Sequence, residues 1–282
     1  MRTKRLAAGL FFLVFGLAGP LLQAQEGTPA PQALCADPQP ARVWDSSTVF
    51  QPPNLAEPAP RVPFRDANFG ACVVRVTDRN HDLAAGDPSA GLKNEYSRVQ
   101  AFNSDESRIL VMGLAATWYV YDAVTLQPLS KLPFEGPVEP RWHATDPNLL
   151  YWVEGTQLSA CDVRTGVSTL VHDFAQDFPG QNLAAVWTRY EGSPSYNTRF
   201  FGFQVENENW DPIAFVVYDI ASQMVVSNRS VAGLPNIETT DSVSISPLAG
   251  YFVAFLDPCP QGTLGTEANP CGFMVYDAGL QS

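Results

Sequence analysis

The fold is decided by residues 108–122, which read RILVMGLAATWYVYD. Two apolar runs rich in β-branched and aromatic residues are separated here by a short connection, which is the pattern of two neighbouring β-strands. The second run ends in Tyr121-Asp122, and an aromatic residue or cysteine followed by aspartate closes a similar run at Cys161-Asp162, Tyr218-Asp219 and Tyr276-Asp277. This recurrence indicates that the chain repeats one structural unit.

The sequence predicts four repeats, at about residues 95–134, 138–174, 183–231 and 239–282. Each contains short strand-like runs separated by turn residues, and in the first repeat the innermost strand is predicted at Tyr96–Asn103. Units of this kind cannot bury their apolar faces alone and must stack on their neighbours. We therefore predict an all-β fold, a β-propeller of four-stranded blades. A β-sandwich, which also consists of short strands, is the alternative.

Three segments carry a resemblance to known propellers: FNSDESRIL at 102–110, WHATDPNLL at 142–150 and ISPLAG at 245–250. They resemble the "aromatic residue, Ser-Pro-Asp-Gly, apolar strand" motif of WD-repeat-like propellers, including the TolB-like bacterial group and the propeller halves of prolyl-oligopeptidase relatives. Leu248 stands where that motif has aspartate, and none of the three copies has the full Asp-Gly pair. The resemblance implies a propeller and says little about activity, because this fold hosts many functions.

The number of repeats predicts an incomplete propeller. About four blades are present, and the last lacks a fourth strand-like run, so we expect an open arc of blades. The alternative is a closed four-bladed ring, in which the run Cys72–Thr77 supplies the missing strand beside Phe273–Tyr276.

The first 24 residues have the features of a secretory signal peptide. Three basic residues precede an apolar stretch, and Ala24 offers a small residue at the cleavage point. Glycines and Pro20 interrupt the stretch, which argues against the alternative of an uncleaved anchor helix. Residues 25–63 contain nine of the 24 prolines and are interpreted as an arm or linker before a propeller domain at 64–282. We therefore expect a periplasmic or secreted protein.

The net charge is strongly negative, and it excludes some partners. Cleavage after Ala24 removes three cations and moves the formal charge from -12 to -15. Such a surface repels phosphate backbones, so nucleic acid is not an expected partner. No later segment is long and apolar enough to span a membrane, so membrane insertion is not expected after signal cleavage.

Five cysteines in an exported chain predict disulfide bonds with at least one cysteine unpaired. Cys259 and Cys271 bracket a loop rich in glycine and proline, and we predict that they pair. Cys35 and Cys72 are a possible second pair, which would tie the N-terminal arm to the domain. Cys161 lies in an apolar run and is interpreted as a small buried residue.

The recurring aspartates are predicted to be structural. An aspartate at the end of a strand can accept backbone N–H groups of the turn that follows. We therefore expect Asp122 and Asp162 to stabilise their turns.

A binding surface is predicted along the central channel, which the first strand of each blade lines. Charged and aromatic residues recur at these positions, where stacking and hydrogen bonding suit a protein or carbohydrate ligand. The candidate residues are Glu95, Arg98, Glu139, Arg141, Trp142, His143 and Trp187. The alternative interpretation is that these charges only pair with one another around a wet channel.

No catalytic motif is recognisable. A Gly-x-Ser-x-Gly nucleophile elbow is absent, no cysteine or histidine pair has metal-ligand spacing, and His172 is interpreted as a surface residue. We therefore predict an exported, non-catalytic module that binds a protein or glycan and needs no cofactor. The alternative is a metal-dependent polysaccharide lyase or another propeller hydrolase. Similarity to oligogalacturonate-lyase-like propellers would then imply a divalent metal near His81, His143 and Gln100.

Overall fold

The computed structural model describes residues 47–280, which form four antiparallel sheets in chain order. We call these sheets blades 1 to 4. Blade 1 comprises β3 (Leu92–Lys93), β4 (Arg108–Gly113), β5 (Thr117–Asp122) and β6 (Pro128–Glu135). Blade 2 comprises β7 (Arg141–Trp142), β8 (Leu149–Glu154), β9 (Gln157–Asp162) and β10 (Val167–Asp173). Blade 3 comprises β11 (Leu183–Trp187), β12 (Phe200–Asn207), β13 (Pro212–Asp219) and β14 (Met224–Ser230), and blade 4 comprises β15 (Ser242–Ile245), β16 (Tyr251–Phe255) and β17 (Phe273–Asp277).

Little structure lies outside the blades. A two-stranded ribbon of β1 (Phe64–Arg65) and β2 (Cys72–Val73) precedes them, and two short 3-10 turns lie at Phe174–Asp177 and Ile237–Thr239. Within residues 47–280, no helix has the length and apolar character needed to cross a membrane. In each blade every strand pairs only with its neighbours in sequence, as consecutive antiparallel hairpins do. The prediction of an all-β propeller with about four blades is confirmed.

Consecutive blades pack face to face through aromatic contacts. Phe134 of blade 1 stacks on Trp152 of blade 2 with ring centroids 4.8 Å apart. Tyr151 meets Phe201 of blade 3 at 5.7 Å, and Phe215 meets Phe252 of blade 4 at 5.0 Å. Because alternate residues of a strand face opposite sides, each middle strand needs apolar residues on both faces, and this explains the unbroken apolar runs of the repeats.

The two ends of the row of blades differ. The face of blade 1 that points away from blade 2 is covered by N-terminal residues, including Val74, Val76 and Leu83. On blade 4, the face away from blade 3 leaves Tyr251, Phe273 and Val275 largely exposed. Among the described residues, nothing therefore covers the apolar outer face of blade 4.

Two strand predictions in the N-terminal half need correction. Residues 96–99 form a turn, and β3 lies earlier than expected, at Leu92–Lys93; Phe102 rejoins the sheet through a single bridge to Ile109. The chain leaves the sheet between these points because the Glu95 side chain is drawn to Arg141 of blade 2. Only Cys72–Val73 of the run Cys72–Thr77 is a strand, and it pairs with Phe64–Arg65 rather than with blade 4. The closed-ring alternative is therefore not seen within residues 47–280.

Of the three cysteine predictions, two are confirmed and one lies partly outside the described residues. Cys259 and Cys271 are bonded and close the connection between β16 and β17, as predicted. Cys161 is a free, buried thiol, also as predicted. Cys35 lies outside the described residues, so its pairing with Cys72 stays a prediction.

The strand-ending aspartates fasten the turns after them. Asp122 Oδ1 accepts the backbone N–H groups of Val124 and Thr125 at 3.0 and 2.7 Å. These bonds, above all the one from Thr125, lower the pKa of Asp122. Asp162 accepts the N–H of Arg164 at 2.9 Å, and Asp219 accepts that of Ala221 at 3.0 Å. The structural role predicted for Asp122 and Asp162 is confirmed in its geometry.

Replacing Asp122 with alanine leaves the N–H groups of Val124 and Thr125 without their acceptor. By analogy with the loss of a helix cap, we expect the free energy of unfolding to fall by about 0.5–2 kcal/mol. Urea denaturation followed by tryptophan fluorescence measures it. The matched control is Glu154→Ala, an exposed acid at the end of β8, which should change stability by less than about 0.5 kcal/mol. Equal effects of the two variants would contradict the role of Asp122.

Gly202 marks a close approach between blades 3 and 4. A Cβ atom added there would lie 2.9 Å from two ring carbons of Phe252 and 3.3 Å from the backbone nitrogen of Ile245. We expect Gly202→Ala to lower the free energy of unfolding by about 1–3 kcal/mol through overpacking. In Gly250→Ala the new methyl group meets open space, so this control should keep wild-type stability. If the Gly202→Ala protein is as stable as Gly250→Ala, blades 3 and 4 can move apart to accommodate the methyl group at little cost in free energy, and the expected overpacking is contradicted.

Candidate functional site

Five of the seven predicted binding residues line one of two separate cavities: Glu95, Arg141, Trp142, His143 and Trp187. The first, which we call the aromatic cleft, has a volume of about 450 Å³ and is lined by residues that include Lys93, Glu95, Tyr96, Trp118, Trp187, Arg189, Tyr190 and Glu191. The second, the loop cavity, has a volume of about 580 Å³ and is lined by residues that include Gln100, Phe102, Glu106, Arg141, Trp142, His143 and Tyr196. Both volumes are in the range of small-ligand sites.

A buried ion pair lies between the two cavities. Arg141 Nη1 donates to both carboxylate oxygens of Glu95 at 2.9 Å, and both side chains are almost completely buried. Glu95 lines the aromatic cleft, while Arg141 lines the loop cavity. Burial raises the pKa of Glu95 to about 7, against the opposing attraction of Arg141. The pair therefore separates the cavities and is not a free ligand-binding group of either.

The loop at residues 188–192 is held by Arg141 of β7 and by Glu139, which lies just before that strand. Glu139 Oε2 accepts the backbone N–H and the hydroxyl of Thr188 at 2.8 and 2.7 Å, and Oε1 accepts the N–H of Tyr190 at 2.5 Å. Arg141 donates from Nη2 to the carbonyl of Tyr190 and from Nε to that of Gly192, both at 2.8 Å. Glu139 and Arg141, both buried, are thus positioning residues for this loop.

The held loop has an unusual backbone. Arg189 and Tyr190 are consecutive non-glycine residues with positive φ, at 57° and 72°. Such conformations are sparsely populated and persist where surrounding contacts impose them; here Glu139 and Arg141 supply those contacts. The consequence is that the side chains of Arg189 and Tyr190 are both presented to the aromatic cleft.

Trp187 and Tyr190, which line the cleft, belong to an aromatic cluster that extends beyond the cleft lining to Trp210. The ring of Trp187 lies 5.2 Å from that of Tyr190 and 5.8 Å from that of Trp210. The guanidinium of Arg189 sits 5.3 Å from the Trp187 ring centre and donates to the fully buried Glu206 at 2.8 Å. Tyr190 is 40% exposed and Trp210 58% exposed. Rings held in this way offer faces for stacking.

Two buried donors at the cleft have no hydrogen-bond partner among residues 47–280. They are Trp187 Nε1 and Arg189 Nε. Buried donors in folded proteins are nearly always paired. Neither nitrogen atom has accessible surface in this structure, so a ligand in the cleft does not reach it directly.

The remaining predicted residues have other roles. Arg98 is largely exposed and forms an ion pair with Glu191 at the cleft. Trp142 is buried, and its Nε1 donates to the carbonyl of Ala101 at 3.0 Å. Sequence reasoning missed Tyr96, Tyr190 and Trp210; the signal for Trp210 was a large aromatic residue in a polar hairpin turn.

The histidines do not come together as a metal site. His81 is exposed and its Nδ1 lies 2.6 Å from Asp78, whereas His143 Nδ1 accepts the backbone N–H groups of Thr145 and Asp146. Within residues 47–280 there is no group of three or more His, Cys, Asp or Glu side chains placed to hold a metal ion. These residues do not fit a divalent metal centre. His172, expected at the surface, is instead buried against Phe174 and lies 2.6 Å from Asp177.

Comparisons with known proteins identify the fold. No protein-family model matches the chain. No curated protein matches its sequence. Among solved structures, an oligogalacturonate lyase in complex with manganese matches at 13% identity and a TM-score of 0.54, over 78% of this chain and 57% of that chain. An oligogalacturonate lyase from Vibrio parahaemolyticus matches at 12% and 0.53, with the same coverage. The chain thus spans little more than half the length of these lyases, and at such identity the likeness shows the fold alone.

The role of Glu139 can be tested with Glu139→Gln, which keeps the shape of the side chain but replaces one acceptor oxygen by an amide group. We expect the free energy of unfolding to fall by about 1.5–3 kcal/mol, as for hydrogen bonds to a buried charged group. Amide hydrogen exchange at Tyr190 should become faster, because its acceptor is lost. Glu154→Gln is the exposed control. Unchanged exchange at Tyr190 would show that Glu139 does not hold the loop.

Proposed function

We propose that the protein is an exported, non-catalytic propeller module that binds a glycan in the aromatic cleft. The observation that carries this proposal is the pair of rings Trp187 and Tyr190 that line the cleft, with Trp210 packed against Trp187. Sugar rings present apolar C–H faces that stack on aromatic rings, and hydroxyl oxygens that accept hydrogen bonds. The cleft offers the rings of Trp187 and Tyr190 for stacking and the ammonium group of Lys93 for hydrogen bonds to hydroxyl oxygens, within about 450 Å³.

Three of the five charged side chains that line the cleft are held in ion pairs, which supports a binding role rather than catalysis. Glu95 is engaged by Arg141, Glu191 by Arg98, and Arg189 by Glu206. A general acid or base must be free to exchange a proton with its substrate. Paired in this way, these groups shape and orient the cleft.

The proposal also includes export of the protein to the periplasm or the medium, where free glycans and cell-surface polymers occur.

A second candidate is a lyase acting on polysaccharide, and the two oligogalacturonate lyases of similar fold support it. One of them is a manganese complex. For this chain the candidate would need metal-binding residues, and the described residues offer no suitable group. We therefore derive no catalytic step through a metal and place this candidate second.

Binding can be measured by titrating the protein with soluble cello-, xylo-, manno- and galacturono-oligosaccharides while recording tryptophan fluorescence. We expect saturable binding of at least one of them. Tyr190→Ala removes a stacking ring but retains the backbone contacts to Glu139 and Arg141, and it should weaken binding about three- to tenfold. Tyr196→Ala removes an exposed ring from the loop cavity and is the matched control, with unchanged affinity expected.

Two outcomes decide between the candidates. No binding of any oligosaccharide up to about 10 mM, where affinity is too weak to measure usefully, would contradict the glycan proposal. Formation of unsaturated product from galacturono-oligosaccharide with added Mn²⁺, abolished in His143→Ala, would support the lyase instead.

A further inference from the structure

The loop cavity lies apart from the aromatic cleft, on the other side of the Glu95–Arg141 pair. Its walls come from three blades: residues 99–106 of blade 1, Arg141–Ala144 of blade 2, and residues 193–198 ahead of β12 in blade 3. At about 580 Å³ it has room for several residues of a ligand chain. The glycan proposal leaves this cavity unused.

The electrostatic character of the cavity is set by Glu106. Arg141 contributes little, since its guanidinium is bound to Glu95 and to the carbonyls of Pro140, Tyr190 and Gly192. The Glu106 side chain lines the cavity, is exposed, and has no ion-pair partner among residues 47–280. The chain as a whole carries a net charge of -12. A cation is therefore the favoured ligand charge.

Two aromatic rings belong to the cavity and remain open to solvent. Phe102 of blade 1 is 41% exposed and Tyr196 of blade 3 is 68% exposed. Faces of aromatic rings attract ammonium and guanidinium groups through their quadrupole. Glu106 and the two rings together provide the partners that a lysine or arginine side chain requires.

The cavity also offers hydrogen-bond donors suited to a peptide backbone. His143 Nδ1 accepts two backbone N–H groups, at 3.2 Å from Thr145 and 2.9 Å from Asp146. The neutral ring must then carry its proton on Nε2, which becomes a donor. Gln100 uses its Oε1 to accept the N–H of Phe102 at 3.1 Å, which leaves its amide NH₂ as a second donor. Peptide carbonyl groups are the matching acceptors.

We propose that the loop cavity binds a basic segment of a partner protein, with a lysine or arginine side chain held by Glu106, Phe102 and Tyr196. The donors His143 and Gln100 bind carbonyl groups of the same segment. This site is independent of the glycan proposal, because the two cavities share none of these residues.

The test uses fluorescence anisotropy with a labelled peptide, Gly-Ser-Gly-Lys-Gly-Ser-Gly, and two analogues in which the lysine is glutamine or glutamate. The full chain should bind the lysine peptide at least tenfold more tightly than either analogue. We expect Glu106→Gln to weaken binding about fivefold or more, and Tyr196→Ala about threefold or more. Glu154→Gln and Tyr251→Ala are the controls for loss of charge and loss of an exposed ring elsewhere, and both should retain wild-type affinity.

Several results would overturn the proposal. If Glu106→Gln and Glu154→Gln weaken binding equally, attraction is due to net charge and not to this cavity. If the glutamine peptide binds as well as the lysine peptide, the cation is irrelevant. If n-butylammonium alone competes as strongly as the peptide does, the site recognises a small amine and not a protein segment. Circular dichroism of each variant confirms that the fold is intact, so that loss of binding reports on the cavity.

Discussion

Blades 1 to 3 are each covered on both faces, and the rest of the structure follows from that constraint. The middle strands carry apolar residues in unbroken runs, so one face always remains for the next sheet. Phe215, for example, belongs to blade 3 but packs against Phe252 of blade 4. Because the blades stack in chain order, their inner loops converge, and the two cavities form where those loops meet.

The charged residues on the inner strands hold the blades in register more than they meet solvent. Glu139 lies two residues before Arg141, the first residue of β7, and both bind the loop at residues 188–192. Two buried charges of opposite sign in one short segment can do this because Glu139 takes the backbone donors and Arg141 the backbone acceptors of the same loop. The side chains that line the aromatic cleft are instead those the loop carries, among them Arg189 and Tyr190.

The sequence is sufficient for the fold because the fold depends on local patterns. The strand pairs of blades 2 and 3, the turns closed by Asp122 and Asp162, and the Cys259–Cys271 bond all follow from short segments. The interruption of the first strand of blade 1 does not, since it depends on Glu95 reaching Arg141 across 46 positions. For the same reason the sequence predicts both Glu139 and Trp187 as binding residues. It does not show that Glu139 is a buried residue that holds a loop, whereas Trp187 lines a cleft. That distinction depends on contacts between blades, which periodicity does not encode.

Because every blade is made from one uninterrupted stretch of chain, the order of synthesis is also the order of stacking. Blade 1 can complete its hairpins before blade 2 has left the ribosome, and its open apolar face then serves as the template for the next sheet. Few pairings have to wait for distant sequence, which is the condition for rapid, stepwise folding. The growing end of the stack is always the one that exposes apolar surface, and in residues 47–280 that end is the outer face of blade 4 with Tyr251, Phe273 and Val275.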